Sequence, residues 1–373
     1  YFYNAKALRV VEIPFSGPEL TIGAYGFYEA TSLERMYYKN SLEDCSDYQG
    51  LKLPSSYKTT IGAYAFYDCK SLLNISTGNV VIGAYAFQLC KGLKTVEIKE
   101  GSIGTYAFGP TEYNDYSSQA ETNALANITT LVLGDGVYSI GNYAFVGIGI
   151  TTLTLPRKLG ETVGGTAGVV GSFAFANIYT LETLDIRNRI IGSYMFYRNT
   201  ALMTVTYDNS NEYSLDTIGF YAFYKDTKLS VFTYDTENKN YFVIPESITT
   251  FTLDGSSNSG AFRNTGVETL ELLTTATGSY LFEGCSKLKT VYLNDEITTI
   301  SSYQFYNDQK VHLLISNKYK DTITEGLMLS ESIEKIYDYA FFRFYDVAMN
   351  SIDMEHNTNL TWVGYASFGS WRN

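Results

Sequence analysis

The chain repeats a pattern of apolar, glycine and aromatic positions that reads Ile-Gly-x-Tyr-Ala-Phe. Close copies begin at Ile61, Ile82, Ile103, Ile140 and Ile218, and looser copies end at Phe27, Phe175, Phe196, Phe262, Phe282, Phe305, Phe341 and Phe368. Phe66, Phe87 and Phe108 follow one another at intervals of 21 residues. A signature that returns at such intervals is typical of a solenoid, in which each unit packs only on its neighbours.

A second pattern follows most copies of the first and predicts a β-strand. It occupies Leu93 to Ile98, Leu181 to Ile186, Val267 to Leu272 and Leu288 to Leu293, with apolar residues at the first, fourth and sixth positions. The alternation at the end of this pattern is typical of a half-buried strand, and its β-branched residues favour that structure. We expect one strand per coil, paired in parallel, with the third and fifth positions facing outward.

Two details of the first pattern predict local geometry. The glycine four residues before the phenylalanine, such as Gly62, is expected either to adopt a positive φ or to let neighbouring coils approach closely. The Ala-Phe step predicts a short helical turn, because alanine is the best helix former. Its phenylalanine is expected to point into the core.

The run Ile-Gly-x-x-Ala-Phe-x-x-Cys-x-x-Leu, complete in Ile61 to Leu72 and in Ile82 to Leu93, resembles the BspA-like leucine-rich-repeat family. The resemblance covers essentially the whole chain and implies an α/β repeat solenoid. In that fold a curved right-handed leucine-rich-repeat coil has a parallel β-sheet on one face and short strands or helical turns on the other. Family members are associated with adhesion to host proteins or other cells, which implies an extracellular or cell-surface location.

We expect residues 1–373 to form a single solenoid of about 13 to 14 coils, cut within a repeat at both ends. The segment Phe2 to Leu8 matches Phe66 to Leu72, and the chain stops five residues after Phe368. The chain departs from the family in its 34 tyrosines and its scarcity of proline after the strands. The resemblance therefore predicts the fold more firmly than it predicts a ligand.

Charge and hydropathy exclude two classes of partner. The formal net charge is −12 at pH 7, whereas nucleic-acid phosphates require a basic surface. No apolar run approaches the roughly 18 residues of a membrane span. We expect neither nucleic-acid binding nor membrane insertion within this segment.

No residue pattern predicts catalysis, a cofactor or a metal site. The two histidines, His312 and His356, lie outside any nucleophile or metal motif. Adjacent carboxylates such as Glu43 and Asp44 are interpreted as a solvated loop, because glycosidase chemistry requires two carboxylates placed across a cleft. We therefore expect a protein that is not an enzyme.

Cys69, Cys90 and Cys285 each lie three residues after a motif phenylalanine. Other coils place alanine or asparagine there, which favours a packing position where a free thiol acts as a small hydrophobic group. Cys69 and Cys90 occupy consecutive coils, so they are either stacked free thiols or a pair within disulfide distance. Cys45 lies in an insertion and has no obvious partner.

The outward strand face is the first of three candidate surfaces for a protein or glycan ligand. From it we select Thr152, Thr154, Thr183, Asp185, Thr204 and Thr206. Solenoids provide extended binding surfaces of this kind. A structural interpretation stays open, because threonine also favours strands in general.

The other two surfaces are a tyrosine stripe and the insertions. Tyrosine two residues before the motif phenylalanine either stacks from coil to coil or forms a sticky surface for partners. Polar insertions include Glu34 to Thr60, Gly109 to Asn127 and Ser316 to Glu325. Within the second insertion we select Glu112, Tyr113, Asp115 and Tyr116, and the chain has N-x-[ST] sequons at Asn74, Asn127 and Asn359.

These patterns favour a non-enzymatic adhesion or protein-binding module of a surface or secreted protein. The alternative is a structural spacer, or a scaffold unit that assembles into fibres or layers. Such assembly would proceed by self-association through exposed repeat ends, since repeat arrays require polar caps to stay soluble.

Overall fold

The computed structural model describes residues 2–14, 19–39, 47–53, 57–109, 127–210, 212–234, 241–344 and 352–369. Within these ranges the chain forms β-strands joined by turns, with a 3-10 helix at Asn317–Tyr319 and no α-helix. The chain divides into two compact units, Tyr1–Leu181 with Ile186–Asn188, and Glu182–Asp185 with Arg189–Asn373. Each unit is described by itself.

In the first unit, parallel strands lie side by side, one coil after another. The strands are β1 (Val10–Pro14), β2 (Glu19–Ile22), β3 (Arg35–Lys39), β4 (Leu51–Lys52), β5 (Lys58–Ile61), β6 (Asn74–Ile82), β7 (Thr95–Ile103), β8 (Thr130–Ile140) and β9 (Thr152–Thr154). One row runs β1-β3-β4-β6-β7-β8, and a second joins β2 and β5 to the other half of β6. The long strands β6 to β8 therefore contribute to both rows.

The second unit repeats this arrangement with shorter strands. They are β10 (Thr183–Ile186, whose last residue is grouped with the first unit), β11 (Ile190–Ile191), β12 (Thr204–Tyr207), β13 (Thr217–Ile218), β14 (Val231–Thr233), β15 (Phe242–Ile244), β16 (Thr250–Phe251), β17 (Thr269–Leu272), β18 (Thr290–Leu293), β19 (Thr299–Ile300), β20 (Leu313–Ser316), β21 (Gly326–Met328), β22 (Lys335–Ile336), β23 (Ile352–Asp353) and β24 (Trp362–Val363). The main row runs β10-β12-β14-β15-β17-β18-β20-β21-β23, beside shorter rows β11-β13-β16 and β19-β22-β24. The strand registers are parallel, as predicted.

Side chains alternate across each strand of the main rows. In β7, Val96 and Ile98 are buried, whereas Thr95 is partly exposed and Glu97 is exposed. The same alternation appears in β17 and β18. The prediction that the third and fifth positions of the strand pattern face outward is therefore confirmed.

The motif phenylalanines form the core of both units as stacked rings. In the first unit, Phe66 and Phe87 have ring centroids 5.1 Å apart, and Phe108 and Phe145 are 5.0 Å apart. In the second unit, Phe223 stacks on Phe262 at 5.4 Å. Rings inside each unit, such as Phe87 and Phe262, are sandwiched between the rings of adjacent coils, so the motif phenylalanines form an apolar column within each unit.

The motif turn is not helical, so that part of the prediction is wrong. Tyr64 has a φ of 56° and Asp68 a φ of 59°, both in the left-handed region. The amide of Tyr64 donates to the Ala84 carbonyl of the next coil at 3.1 Å, whereas the next amide, Ala65, donates to Gly62 of its own coil at 3.2 Å. Successive amides thus alternate between joining coils and closing turns, which an α-helix cannot do.

Close approach between coils explains the motif glycine. Gly62 does not have a positive φ, but a Cβ added there would lie 2.3 Å from the backbone nitrogen of Ala24. The same applies at Gly141, where the added atom would lie 2.5 Å from the nitrogen of Thr105. Of the two explanations offered by the sequence, the structure selects the close approach.

The cysteines on the motif turn are buried free thiols. The Cys69 thiol donates to the Phe27 carbonyl at 3.2 Å, and the Cys90 thiol donates to the Phe66 carbonyl at 3.0 Å. Burial raises the pKa of Cys90 well above its ordinary value. Their interpretation as packing groups is confirmed, while Cys45 lies outside the described residues.

Asp226 occupies the same turn position in the second unit and is fully buried. Its Oδ1 accepts a hydrogen bond from the Asn199 amide at 2.7 Å, and Oδ2 has no hydrogen-bond partner among the described residues. Burial raises the pKa of this carboxyl well above its ordinary value, and the hydrogen bond from Asn199 only opposes the effect. Burial therefore favours the uncharged form of Asp226 in the folded chain.

Asp226→Asn is expected to stabilise the second unit above about pH 4. The unfolded carboxyl has a pKa of about 3.8, so above that pH the folded state holds a proton that the unfolded state has released. The free energy of unfolding then falls as pH rises, by up to about 1.4 kcal/mol per pH unit, until the folded carboxyl ionises. Urea unfolding between pH 4 and pH 8 should show the variant gaining over the wild type as pH rises. Asp321→Asn, at an exposed position, is the control, and an equal gain there would contradict the account.

Candidate functional site

One row of outward side chains crosses the first unit and is named here the outer row. It consists of Glu12, Tyr37, Lys52, Ser76, Glu97 and Val132, which are paired in this order by the strand registers. These residues lie on strands β1, β3, β4, β6, β7 and β8. Five steps of about 4.8 Å give the row a length of about 24 Å.

Hydrogen bonds and a ring contact organise the outer row. The Tyr37 hydroxyl donates to Glu12 Oε2 at 3.3 Å. The Lys52 ammonium lies 5.7 Å from the ring centroid of Tyr48, a residue placed just before β4. Burial raises the pKa of Tyr48 to about 12 and the Glu97 carboxylate adds to the rise, while a hydrogen bond with the Ser76 side chain opposes it. Tyr48 is therefore neutral at physiological pH.

The outer row combines charged and apolar groups that solvent can reach. Glu12 and Glu97 are exposed, and Val132 exposes 51% of its surface. Tyrosine is enriched at protein interfaces, whereas lysine, glutamate and serine are depleted there. The row is thus a mixed polar and apolar surface that solvent can reach.

The corresponding face of the second unit is partly covered. Ile315 in β20 faces outward by register with Tyr292, yet it is fully buried. Lys320, just after the 3-10 helix, contacts Glu271 at 3.0 Å and lies 4.7 Å from the ring centroid of Tyr292. The insertion Ser316 to Glu325 therefore folds over the strand face, a role that its polar sequence did not predict.

The selected strand residues lie on the outward side of their strands, as predicted. Thr152 and Thr183 are exposed, and Thr154, Asp185, Thr204 and Thr206 are partly exposed. The Thr206 hydroxyl donates to Asp185 Oδ1 at 3.2 Å. Their role in binding stays a prediction.

The predictions about the insertions had different outcomes. Glu34 to Thr60, interpreted as a polar insertion, contains strands β3 and β4 of the main row, so that interpretation is wrong in part. The signal was present, since Leu33, Met36 and Tyr38 match the first, fourth and sixth positions of the strand pattern. The selected residues Glu112, Tyr113, Asp115 and Tyr116 lie outside the described residues.

The sequon asparagines all bond to a neighbouring coil. Their Nδ2 atoms donate to backbone carbonyls, Asn74 to Gln49 at 2.7 Å, Asn127 to Lys91 at 2.7 Å and Asn359 to Glu331 at 2.9 Å. The nitrogen that would bear a glycan thus already has a structural partner. Whether these sequons are used stays open to experiment.

The tyrosine stripe is a second column of stacked rings. Tyr64 and Tyr85 have centroids 4.8 Å apart, Tyr85 and Tyr106 are 5.3 Å apart, and Tyr106 and Tyr143 are 4.7 Å apart. Burial raises the pKa of Tyr106 to about 12, and the neighbouring Tyr143 and Tyr85 add to the rise. The predicted coil-on-coil stacking is confirmed, whereas a role of the stripe in binding stays a prediction.

Metal-binding clusters and membrane-spanning helices are both absent from the described ranges. Among those residues, no three or more His, Cys, Asp or Glu side chains are arranged to hold a metal ion. In the same part of the chain, no helix has the length and apolar character needed to cross a membrane.

Comparison with known proteins identifies the repeat. The sequence profile of the BspA type leucine rich repeat region, in six copies, matches residues 1–114, 117–242, 237–325 and 255–371. No curated protein matches the chain.

A solved structure of low sequence identity has the same fold. The chain is similar to a leucine-rich repeat protein from Bacteroides ovatus, with a TM-score of 0.52, 18% identity, and coverage of 96% of this chain and 84% of that one. A leucine rich cell surface protein from Faecalibacterium prausnitzii gives a TM-score of 0.39 at 20% identity, covering 98% and 81% of the two chains. Because the profile matches almost the whole sequence, this chain belongs to the BspA type leucine-rich repeat family.

Proposed function

We propose that this chain is a non-enzymatic adhesion module that binds a partner protein through the outer row of its first unit. The observation that supports this proposal best is the outer row itself, a line of exposed or partly exposed charged, aromatic and apolar side chains on a parallel sheet. Its length of about 24 Å is comparable with the side of a standard interface patch of about 800 Å² per partner. An extracellular or cell-surface location is part of the proposal and follows from the family resemblance.

The threonine-rich strand ends extend the proposed surface. Thr152 and Thr154 on β9 belong to the same unit as the outer row, and Thr183, Asp185, Thr204 and Thr206 offer similar groups on β10 and β12. Hydroxyl and carboxylate groups of this kind also suit a glycan ligand, because hydroxyls donate and accept hydrogen bonds with sugar hydroxyls or bound water, and carboxylates accept them. The segment with Glu112, Tyr113, Asp115 and Tyr116 is proposed as an additional contact.

Replacing one acidic residue of the outer row with a basic one, and its apolar neighbour with an acidic one, is expected to weaken partner binding at least tenfold. The test variant is Glu97→Lys with Val132→Asp, and the chain is titrated by biolayer interferometry over immobilised extracellular-matrix proteins and over fixed cells. Both positions are exposed, so the free energy of unfolding, measured in urea, should stay within about 0.5 kcal/mol of the wild-type value.

The matched control carries the same two substitution types elsewhere in the first unit. Glu100→Lys with Val169→Asp changes an exposed glutamate and an exposed valine outside the outer row. We expect this control to bind like the wild type. Equal loss in both variants, or full binding by the outer-row variant, would contradict the proposal.

Self-association is the second candidate, and apolar groups at β1 and β2 of the first unit and at β24 of the second favour it. Beside β1 and β2, a hollow of about 500 Å³ is lined by apolar side chains that include Val11, Ile13 and Met36. In the second unit, Trp362 and Val363 of β24 expose 55% and 50% of their surfaces. Such surfaces are typical of contacts between protein copies.

Sedimentation velocity at increasing concentration separates the two candidates. The adhesion module is expected to sediment as a monomer at every concentration tested. Open-ended growth that Trp362→Lys abolishes would instead favour the scaffold, since a head-to-tail contact that does not close produces filaments.

A further inference from the structure

A groove crosses several coils of the second unit beside the motif turns. It has a volume of about 370 Å³, and the residues that line it include Arg198, Lys225, Lys287, Thr227, Ser286 and Asn264. The coils are held in line by backbone hydrogen bonds, from the Lys225 amide to the Arg263 carbonyl at 3.1 Å and from the Asn264 amide to the Glu283 carbonyl at 2.9 Å. Arg198, Lys225 and Asn264 all have positive φ at the same position of the turn. Their side chains therefore recur at the same place in successive coils.

The groove is cationic in a chain of net charge −12. Its lining includes three cationic side chains and no carboxylate. Two carboxylates on the same coils are paired elsewhere, Glu283 with Arg263 at 2.9 Å and Glu268 with Lys289 at 2.9 Å. Burial raises the pKa of the Asp226 carboxyl well above its ordinary value, which favours its uncharged form. The positive charge of the groove is thus not cancelled by these neighbours.

The fold does not require this charge. At the equivalent turn position, two residues after the motif phenylalanine, the first unit has Glu29 and Asp68. These carboxylates pair with Lys6 at 3.9 Å and Lys70 at 3.0 Å. The same backbone therefore accepts acidic side chains, and the cations of the second unit are a local property of the groove.

The groove donors suit anionic groups attached to a hydroxyl-rich chain. Guanidinium and ammonium groups form charge-assisted hydrogen bonds with carboxylate or sulfate. The hydroxyls of Thr227 and Ser286 and the amide of Asn264 can pair with sugar hydroxyls. Steps of about 5 Å between coils spread these donors over roughly 15 Å, which suits an extended ligand.

The aromatic rings beside this groove are poorly suited to stacking with nucleic-acid bases. The Lys225 ammonium lies 5.0 Å from the ring centroid of Tyr224, and the Arg198 guanidinium lies 6.0 Å from that of Tyr197. Single-stranded nucleic acid binds largely by stacking bases on such rings, so rings that cations already cover are poor platforms. A sugar chain needs no such platform here.

We propose that this groove binds an extended acidic glycan whose carboxylate or sulfate groups pair with Arg198, Lys225 and Lys287. The groove lies in the second unit, so this binding goes beyond the proposed function and does not depend on the outer row. Heparin, as a sulfated probe, and polygalacturonate, as a carboxylated probe, are titrated against the intact chain by isothermal calorimetry, with dextran as the neutral probe. We expect binding of at least one acidic probe and none of dextran.

Lys225→Glu with Lys287→Glu is expected to weaken binding of the acidic probe at least tenfold and to reduce its dependence on salt. The matched control, Lys91→Glu with Lys158→Glu, makes the same charge change at exposed positions of the first unit. A second variant, Thr227→Val with Ser286→Ala, leaves the charge unchanged and should weaken binding about threefold to tenfold by removing two hydroxyl donors.

The results that would contradict glycan binding in the groove differ from those that would contradict partner binding by the outer row. Equal loss of probe affinity in the groove variant and the charge control would indicate general electrostatic attraction and would contradict specific binding in the groove. No binding of either acidic probe, or binding of an RNA oligonucleotide as tight as that of heparin, would also refute it. Partner binding by the outer row is measured separately and should be unchanged in the groove variant.

Discussion

Phe145→Ala is expected to destabilise the first unit by about 3 to 5 kcal/mol, the cost typical of removing a buried aromatic ring. Phe145 is fully buried and stacks on Phe108 at 5.0 Å and on Phe175 at 5.4 Å. The substitution removes one ring from the middle of a column, so both neighbours lose a contact face. Urea unfolding followed by tyrosine fluorescence measures the effect.

Val132→Ala is the control for this prediction, because it also removes an apolar side chain from the first unit. Val132 exposes 51% of its surface, so its loss should change stability by no more than about 0.5 kcal/mol. If Phe145→Ala costs no more than Val132→Ala, the phenylalanine column is not the core of the coil stack.

Gly62→Ala is expected to cost about 1 to 3 kcal/mol or more, although it adds a single methyl group. The added Cβ would lie 2.3 Å from the Ala24 nitrogen and 2.7 Å from the Gly23 carbonyl carbon. Both obstacles are backbone atoms of the neighbouring coil, which cannot rotate away as a side chain can. The coils would have to separate, weakening the hydrogen bond from the Gly62 amide to the Ile22 carbonyl, now 2.8 Å long.

Gly255→Ala is the matched control, since a Cβ there meets no atom within 4 Å and its φ is not positive. We expect it to be neutral or slightly stabilising, because alanine has fewer unfolded conformations than glycine. Equal unfolding midpoints for the two variants would show that close approach between coils is not the reason for the motif glycine.

Much of the fold was predictable because each coil repeats the same packing problem. Phe66, Leu72 and Val96 recur at fixed offsets and are all buried, so their spacing indicates stacking without any knowledge of the turns. The parallel pairing of strands and the packing role of Cys69 followed from the same register. Each coil of a repeated pattern thus provides separate evidence for the same packing arrangement.

The turn conformation was less predictable, because the residues involved have ordinary preferences that point elsewhere. Alanine, the residue type of Ala65, favours a helix, and tyrosine, the residue type of Tyr64, rarely adopts a positive φ. In the structure, Tyr64 has a φ of 56° and its ring stacks on Tyr85. Contacts between coils therefore override local preference, and a single coil does not reveal them.

The candidate site was only partly predictable for a similar reason. Glu97 was predicted to face outward as the fifth position of the pattern in Leu93 to Ile98, but Lys52 lies in a segment interpreted as an insertion. The burial of Ile315 under the insertion that follows it depends on contacts between Lys320 and residues about 30 to 50 positions earlier in the chain, Tyr292 and Glu271. Which part of a solenoid face stays open is decided by such distant contacts, which no local pattern encodes.

Residues that pack the repeat differ from those of the two proposed binding surfaces. Phenylalanine, glycine, cysteine and the stacked tyrosines have structural partners in neighbouring coils. The outer row of the first unit and the cationic groove of the second consist of side chains that vary from coil to coil. Both proposed binding surfaces therefore lie at positions where the coils differ.

Carboxyl footprinting tests this central claim most directly. Carbodiimide labelling of the intact chain, with and without its captured partner, is read by mass spectrometry at each glutamate. We predict that partner binding protects Glu12 and Glu97 from labelling, while the exposed Glu100, outside the outer row, is labelled equally in both states. Unchanged labelling of Glu12 and Glu97 in the bound state, with protection elsewhere, would contradict the assignment of the outer row.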